Sequence, residues 1–197
     1  GYDMKGRTTG IIILTAATAA AVVIAYAIGI NPPAANVAGA FVSIVIMVIV
    51  TKIIKVDDTL FYSGLVFIFM ASPLGSIIDL YRFVDPYDKI VHFISGFLLA
   101  AFGMFIIEKL LKRTSKVEDL KPFVIPMIFT ACMFSSGGAG LWEIFEFLAD
   151  KIAGGGMQRG MVDTVTDMIA GNIGALVYGV VIYFRSEKLN RGCISGK

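Results

Sequence analysis

The sequence contains little charge and few side chains that titrate near neutral pH. Of its 197 residues only 16% are charged, one is histidine and two are cysteine, whereas 57% are hydrophobic. With a mean hydropathy of +0.81, this balance excludes an ordinary water-soluble domain. The sequence also shows no nucleophile motif, phosphate-binding loop, internal repeat or separate soluble domain. We therefore expect a membrane protein that has no nucleic-acid partner.

The two cysteines do not predict a disulfide bond. Cys132 falls in the middle of an apolar run, and Cys193 falls in the polar segment near the end of the sequence. A disulfide needs Cα atoms within about 7 Å of each other, which a separation of half a membrane span does not allow. We interpret Cys132 as a small packing residue.

Six apolar runs approach or exceed the length of about 20 residues that a helix needs to cross a bilayer. The sequence therefore predicts an all-α, polytopic membrane protein, a six-transmembrane-helix bundle that forms a single transmembrane domain over residues 1–197. The predicted spans lie at about residues 9–30, 34–53, 59–78, 88–111, 122–148 and 161–184, and a polar tail follows at 185–197.

Three local features interrupt these runs. Pro32 and Pro33 predict a tight turn between the first two spans, because proline cannot continue a helix with normal hydrogen bonding. Pro73 predicts a kink near the end of the third span. The small residues 135–140 (SSGGAG) in the fifth span predict either a close approach to another helix or a local break in the helix.

The distribution of basic residues predicts the orientation of the spans. Of the 17 Lys and Arg residues, 13 fall near the two ends of the sequence and in the loops after the second and fourth spans. Because basic residues are enriched on the cytoplasmic side, both termini are predicted to be cytoplasmic. The remaining four basic residues lie on the predicted extracytoplasmic side: Arg82, Lys89, Lys151 and Arg159.

Acidic residues gather at that predicted extracytoplasmic side, on helix faces that also carry small residues. The spacings are i, i+4 or i, i+3, i+7, which place each set on one helical face. Small-residue faces are where membrane helices pack closely, so we expect these side chains to point into the bundle and towards each other. The sets are Asp88 with His92, then Glu143, Glu146 and Asp150, then Asp163 with Asp167.

Several carboxylates cannot converge in a membrane while all of them are charged. Either some are protonated, or a cation neutralises them. An oxygen-rich site with one imidazole suits a divalent metal ion such as Mg²⁺, Ca²⁺ or Mn²⁺, with Zn²⁺ as a further candidate. The predicted ligands are Asp88, His92, Glu143, Glu146, Asp163 and Asp167. The alternative for His92 is a hydrogen-bonded core histidine, and for Asp79, Asp85 and Asp150 a solvated position in a loop.

Three motifs carry a family resemblance. Residues 88–97 (DKIVHFISGF), 141–150 (LWEIFEFLAD) and 163–175 (DTVTDMIAGNIGA) resemble, in that order, the YjdF-type bacterial inner-membrane family of unknown function. More distantly, the chain is similar to the VanZ-like proteins, named for a role in resistance to a cell-envelope antibiotic. The resemblance implies a multi-pass protein of the cytoplasmic membrane of a prokaryote, with the six predicted ligands as motif positions.

The sequence leaves three functions open, of which the first is an enzyme. In that hypothesis the metal ion activates water or polarises a phosphoryl or ester oxygen, with His92 or Glu146 as the catalytic general base. The substrate is a membrane lipid or lipid-linked envelope intermediate that enters sideways from the bilayer. Arg159 is also suited to bind a phosphate or carboxylate group near the outer surface. The alternative is that Arg159, like Lys89 and Lys151, is a counter-ion for the acids.

The second hypothesis is a proton- or cation-coupled transporter, because clusters of acids with a histidine relay protons or bind cations. The position of the charges at one end of the spans, instead of at the midplane, counts against it. The third hypothesis is a metal-stabilised membrane scaffold. In each case the small-residue helix faces also allow a homo-oligomer.

Overall fold

The computed structural model describes residues 3–114, 119–153 and 157–194, and within those ranges every regular element is a helix. Six helical segments are long and apolar enough to cross a membrane: Met4–Ala27, Ala34–Ile54, Asp58–Ile77, Tyr87–Thr114, Lys121–Ile152 and Met161–Lys188. The predicted all-α polytopic fold with six spans is therefore confirmed. The cytoplasmic location of both termini stays a prediction, because helix bounds alone do not distinguish the two sides of a bilayer.

We number the α-helices in chain order. They are α1 (Met4–Ala27), α2 (Ala34–Ile54), α3 (Asp58–Phe69), α4 (Leu80–Phe83), α5 (Tyr87–Thr114), α6 (Val124–Ala153) and α7 (Met161–Ile194). A π-helical segment, Met70–Ile77, follows α3, and a 3-10 turn, Lys121–Phe123, precedes α6. The chain divides into two compact units, residues 1–91 and 92–197, so the boundary falls inside α5.

The helices agree with the predicted spans in their centres and differ at their ends. α1 begins at Met4 instead of near residue 9, because the Asp3 side chain caps it by accepting a 3.0 Å hydrogen bond from the Gly6 N–H. α2 begins directly after Pro33, in agreement with the predicted proline turn. α7 runs to Ile194, so most of the predicted polar tail continues the last helix.

The third span ends in a π-helix instead of a regular α-helix. The π-helical segment contains Pro73, which has no N–H and would clash with the preceding turn of an α-helix. A π-helical turn is wider and accommodates it, so the irregularity lies where Pro73 predicts a kink. The Tyr87 hydroxyl group donates a 2.7 Å hydrogen bond to the Met70 carbonyl oxygen and ties this segment to the start of α5.

In the first unit, an ion pair between the buried Arg7 and the partly exposed Asp58 joins the beginnings of α1 and α3. The Arg7 side chain donates from Nε to Asp58 Oδ1 at 2.7 Å and from Nη2 to the Val56 carbonyl oxygen at 2.8 Å. The guanidinium carbon also lies 4.8 Å from the centre of the Phe61 ring. Arg7 is thus held by an anion, a carbonyl group and an aromatic face.

In the second unit, α5, α6 and α7 approach each other through small residues. A Cβ atom added to Gly96 on α5 would overlap the Gly171 carbonyl oxygen on α7, so the two backbones are in contact. Ser135 on α6 donates a 2.9 Å hydrogen bond to the Gly96 carbonyl oxygen. α6 is continuous through residues 135–140. Of the two alternatives for that run, the structure therefore contains the close approach and not the helix break.

Candidate metal centre

Asp88, His92 and Asp167 form a compact group of three side chains that could hold one metal ion. One ligand atom from each residue lies within 4.8 Å of the other two. Both aspartates are buried and His92 is partly buried. The distance from His92 Nε2 to Asp167 Oδ1 is 3.8 Å.

Two neighbouring helices position this group. Asp88 and His92 lie one turn apart near the beginning of α5, and Asp167 lies about two turns into α7. In both helices a glycine follows the ligand by one turn, since Gly96 stands four residues after His92 and Gly171 four residues after Asp167. The backbone contact between these glycines brings the two ligands above it side by side.

The donor set fits a divalent cation. Ligand atoms that share a tetrahedral ion at about 2.1 Å lie about 3.4 Å from each other. Separations of up to 4.8 Å therefore need only a small inward movement of the three side chains. Two carboxylates and one imidazole provide three protein ligands, which leaves further coordination positions for water or a substrate. Lys89 Nζ, 3.5 Å from Asp88 Oδ2, is a protein cation beside the group.

Glu143 on α6 is a buried carboxylate next to this group. The residue is only 6% exposed. Among the described residues, neither of its carboxylate oxygens has a hydrogen-bond partner of normal geometry. Its titratable neighbours are Asp167, His92 and Asp163, and the Thr164 side chain lies beside it. A buried carboxylate in this situation carries a large desolvation cost, which a nearby cation would offset.

Asp163 and Arg159 continue the polar region towards the outside of the second unit. The Arg159 Nε atom lies 3.5 Å from Asp163 Oδ2, and the two side chains are 50% and 19% exposed. Asp167, at the inner end, is 3% exposed at its side chain. The structure therefore arranges these groups from an exposed cation to a buried anion.

Glu146, the remaining predicted ligand, lies outside the group of three. It is half-buried and accepts a 2.7 Å hydrogen bond from Trp142 Nε1, one turn earlier on α6. Within the described ranges, the atoms close enough to share one ion belong to Asp88, His92 and Asp167. The structure thus brings three predicted ligands together, places Glu143 beside them, and leaves Asp163 and Glu146 outside the group.

Sequence reasoning missed Thr164 and did not predict the hydrogen bonds of Asp150, which it named only as an acid. Thr164 lies beside Glu143, and the Asp150 carboxylate accepts backbone hydrogen bonds from Met157 and Gln158 at 2.9 and 2.8 Å. Asp150 was expected to be either a solvated acid or part of the acidic stripe. A signal for its role is present in the sequence, because an acid before a glycine-rich loop is suited to accept backbone N–H groups.

The chain belongs to a family of membrane proteins. Residues 10–188 match the family described as "Predicted membrane protein (DUF2238)". The chain is also similar to an uncharacterized protein of Thermotoga maritima, with 31% identity over 117 residues, which are 59% of this chain and 57% of that relative. The matched region thus spans little more than half the length of the relative. No solved structure matches the chain significantly. None of these matches supports the VanZ-like part of the resemblance.

Proposed function

We propose that the protein is a metal-dependent membrane enzyme that hydrolyses or transfers a group on a lipid or lipid-linked substrate. Asp88, His92 and Asp167 hold one divalent ion, and Glu143 stands beside it. The observation that supports this proposal is a buried three-ligand group adjoined by a further buried carboxylate, Glu143, whose oxygens have no hydrogen-bond partner of normal geometry among the described residues. The site lies on the extracytoplasmic side of the inner membrane of a prokaryote, as the basic residues indicate.

The electrostatics favour a cation over a purely structural role. Asp88, Glu143 and Asp167 are all buried, and each ionised carboxylate carries a desolvation cost of several kcal/mol. The imidazole of His92 makes Mn²⁺ or Zn²⁺ better suited than Ca²⁺, which prefers oxygen ligands alone. One divalent charge would stabilise the three anions together more strongly than Lys89 can from the side.

The residues around the ion suit the activation of water. A divalent ion in such a site acts as a Lewis acid and lowers the pKa of water. Glu143 is adjacent but outside the ligand group, so its carboxylate can accept the proton that the attacking water loses. This assignment replaces His92 and Glu146 as the general base, because His92 belongs to the ligand group and Glu146 bonds Trp142.

The helix that carries Glu143 also gives access to lipid. On α6, the apolar side chains of Leu141, Ile144 and Leu148 are exposed. Glu143 lies in the same stretch of the helix, and it is buried. One face of the helix therefore meets acyl chains, and the opposite face carries the carboxylate. A lipid or lipid-linked molecule is accordingly the proposed substrate, and the YjdF-type resemblance is compatible with an envelope role.

The first test is metal binding by the purified, detergent-solubilised protein. We expect about one Mn²⁺ or Zn²⁺ per chain by elemental analysis and calorimetry. Asp167→Asn and His92→Gln should each lower the metal affinity by about tenfold or more, since each removes a ligand. Asp85→Asn is the matched control, because Asp85 is an exposed acid close to Asp88. If the wild-type chain binds no divalent ion, or if Asp85→Asn weakens binding equally, the proposal is wrong.

A second measurement separates catalysis from the other two functions. Release of phosphate or fatty acid from membrane lipids should be lost in Glu143→Gln while metal binding is retained, because Gln cannot accept a proton. Glu108→Gln is the control, since Glu108 pairs with Lys112 at 3.9 Å on α5. A cation or proton flux in liposomes without lipid turnover would identify a transporter. Metal binding without either activity would identify a scaffold.

A further inference from the structure

The short segment before α7 is held in place by side chains on both sides. Asp150, near the end of α6, accepts hydrogen bonds from the backbone N–H groups of Met157 and Gln158 at 2.9 and 2.8 Å. The Gln158 side chain donates a 3.0 Å hydrogen bond from Nε2 to Thr164 Oγ1 in the first turn of α7. These three bonds fix the backbone next to Arg159 relative to the helices that carry Glu143 and Asp167.

Arg159 is therefore connected to the candidate metal centre through a short series of polar groups. Its Nε atom lies 3.5 Å from Asp163 Oδ2. Asp163 is one of the charged neighbours of Glu143, and so is Asp167. Exposure falls along this series from Arg159 to Asp167, so the guanidinium group stands at the accessible end and the ligands at the buried end.

We propose that Arg159 binds the phosphate group of the substrate, so that the substrate class is a phosphate-bearing lipid or lipid-linked molecule. The inference rests on the proposed function and specifies its substrate. A guanidinium group presents five N–H donors in a planar fork that matches the oxygens of phosphate. Phosphate is also the anion whose ester or anhydride bond a divalent ion helps to cleave.

Asp163 has a defined part in this arrangement. In the structure Asp163 Oδ2 lies 3.5 Å from Arg159 Nε. The Arg159 side chain is 50% exposed, so a ligand that approaches from outside can reach its guanidinium group. A phosphate group, with two or three acceptor oxygens and up to two negative charges, competes effectively for the same donors.

The experiment measures anion binding by the full-length protein in detergent, with Mn²⁺ added. The probes are inorganic phosphate and dihexanoyl phosphatidic acid. We expect Arg159→Gln to weaken binding of these probes about ten- to hundredfold, because it removes charge-assisted hydrogen bonds. Arg159→Lys, which keeps the charge and loses the planar fork, should bind with intermediate affinity. If inorganic phosphate and phosphatidic acid bind equally well, the site recognises the phosphate group itself. Binding of phosphatidic acid alone identifies a lipid headgroup, and both results support the proposal.

The matched control is Lys151→Gln, since Lys151 is an exposed basic residue at the same end of α6, over the Phe147 ring. Its loss should leave anion binding unchanged. Metal titrations of Arg159→Gln separate the two proposals. Unchanged anion affinity in Arg159→Gln with normal metal binding overturns this inference and leaves the metal centre standing. Absence of metal binding in the wild type overturns the proposed function. In that case, anion binding by the metal-free protein that is lost in Arg159→Gln supports the role of Arg159, and anion binding that is unchanged in Arg159→Gln contradicts it.

Discussion

Two regions of this molecule each bury an ionisable side chain, and they differ in the hydrogen bonds that this side chain makes. In the first unit, Arg7 is 5% exposed, and its guanidinium group is bonded to Asp58 Oδ1 and the Val56 carbonyl oxygen. In the second unit, Glu143 is 6% exposed, and its carboxylate has no hydrogen-bond partner of normal geometry among the described residues. The two groups are equally buried, but Arg7 makes hydrogen bonds of normal geometry and Glu143 makes none among the described residues.

The difference indicates what each region is for. A buried charge that its own chain satisfies joins elements of the fold, here the beginnings of α1 and α3. A buried ionisable group without such bonds costs stability, and its presence is typical of a site that meets an ion, a proton or a substrate. The comparison therefore supports a structural role for Arg7 and the proposed functional role of Glu143, and four substitutions test it.

The largest expected loss of stability comes from breaking the satisfied pair. Arg7→Ala should lower the free energy of unfolding by about 3 kcal/mol, because it leaves Asp58 and the Val56 carbonyl group without their partner. Thermal unfolding in detergent, followed by circular dichroism, measures the change. Lys5→Ala, at an exposed position two residues earlier, should cause little change. If the two substitutions lowered the free energy of unfolding equally, Arg7 would have no special structural role, and the contrast with Glu143 would not hold.

A smaller loss is expected where α5 and α7 touch. Gly96→Ala should cost about 1–3 kcal/mol, because its Cβ atom would overlap the Gly171 carbonyl oxygen and force the backbones apart. The separation should also weaken metal binding, since His92 and Asp167 lie one turn away. Gly137→Ala is the matched control, because a Cβ atom there meets no atom within 4 Å. A Gly96→Ala protein with normal stability and metal affinity would show that the glycine contact does not position the ligands.

Glu143 should behave in the opposite sense to Arg7. Glu143→Gln should raise the free energy of unfolding of the metal-free protein by about 1 kcal/mol at pH values where Glu143 is ionised, because a neutral amide has a smaller desolvation cost than a carboxylate. Added Mn²⁺ should stabilise the wild type more than the variant. Unfolding with and without a chelator measures both effects, and Glu108→Gln should change stability by less than about 0.5 kcal/mol. A destabilised Glu143→Gln protein without metal would mean that this carboxylate is satisfied within the fold, as Arg7 is.

The sequence predicted the fold better than the site. Hydropathy located all six spans, because the bilayer imposes length and composition on each helix separately. It did not locate the ends, which depend on local caps such as Asp3. Pro73 indicated the irregularity in the third span. The segment also accepts a hydrogen bond from the Tyr87 hydroxyl group, a contact with a later part of the chain that a local pattern does not contain.

For the site, helical spacing placed Asp88 and His92 on one face correctly, since both belong to one helix. The small-residue faces predicted that Asp167 meets them, and the group of three ligand atoms agrees with that. They did not show that Asp163 lies outside the group, because the tertiary contact between Gly96 and Gly171 decides which acid of α7 comes close. An i, i+3 spacing also leaves two side chains about 60° apart around the helix. That angle is enough to bury Glu143 while Glu146, three residues later, bonds Trp142 on a more exposed face.

The smallest effect is therefore expected at Glu146. Glu146→Gln should change metal affinity by less than about twofold and stability by less than about 0.5 kcal/mol, because the amide oxygen can still accept the Trp142 Nε1 hydrogen bond. Calorimetric titration with Mn²⁺ beside Asp167→Asn measures the contrast. A loss of metal binding in Glu146→Gln as large as that in Asp167→Asn would restore Glu146 to the ligand set that the sequence predicted. Retained binding means instead that burial separates the two glutamates of α6, with Glu143 serving the centre and Glu146 the surface.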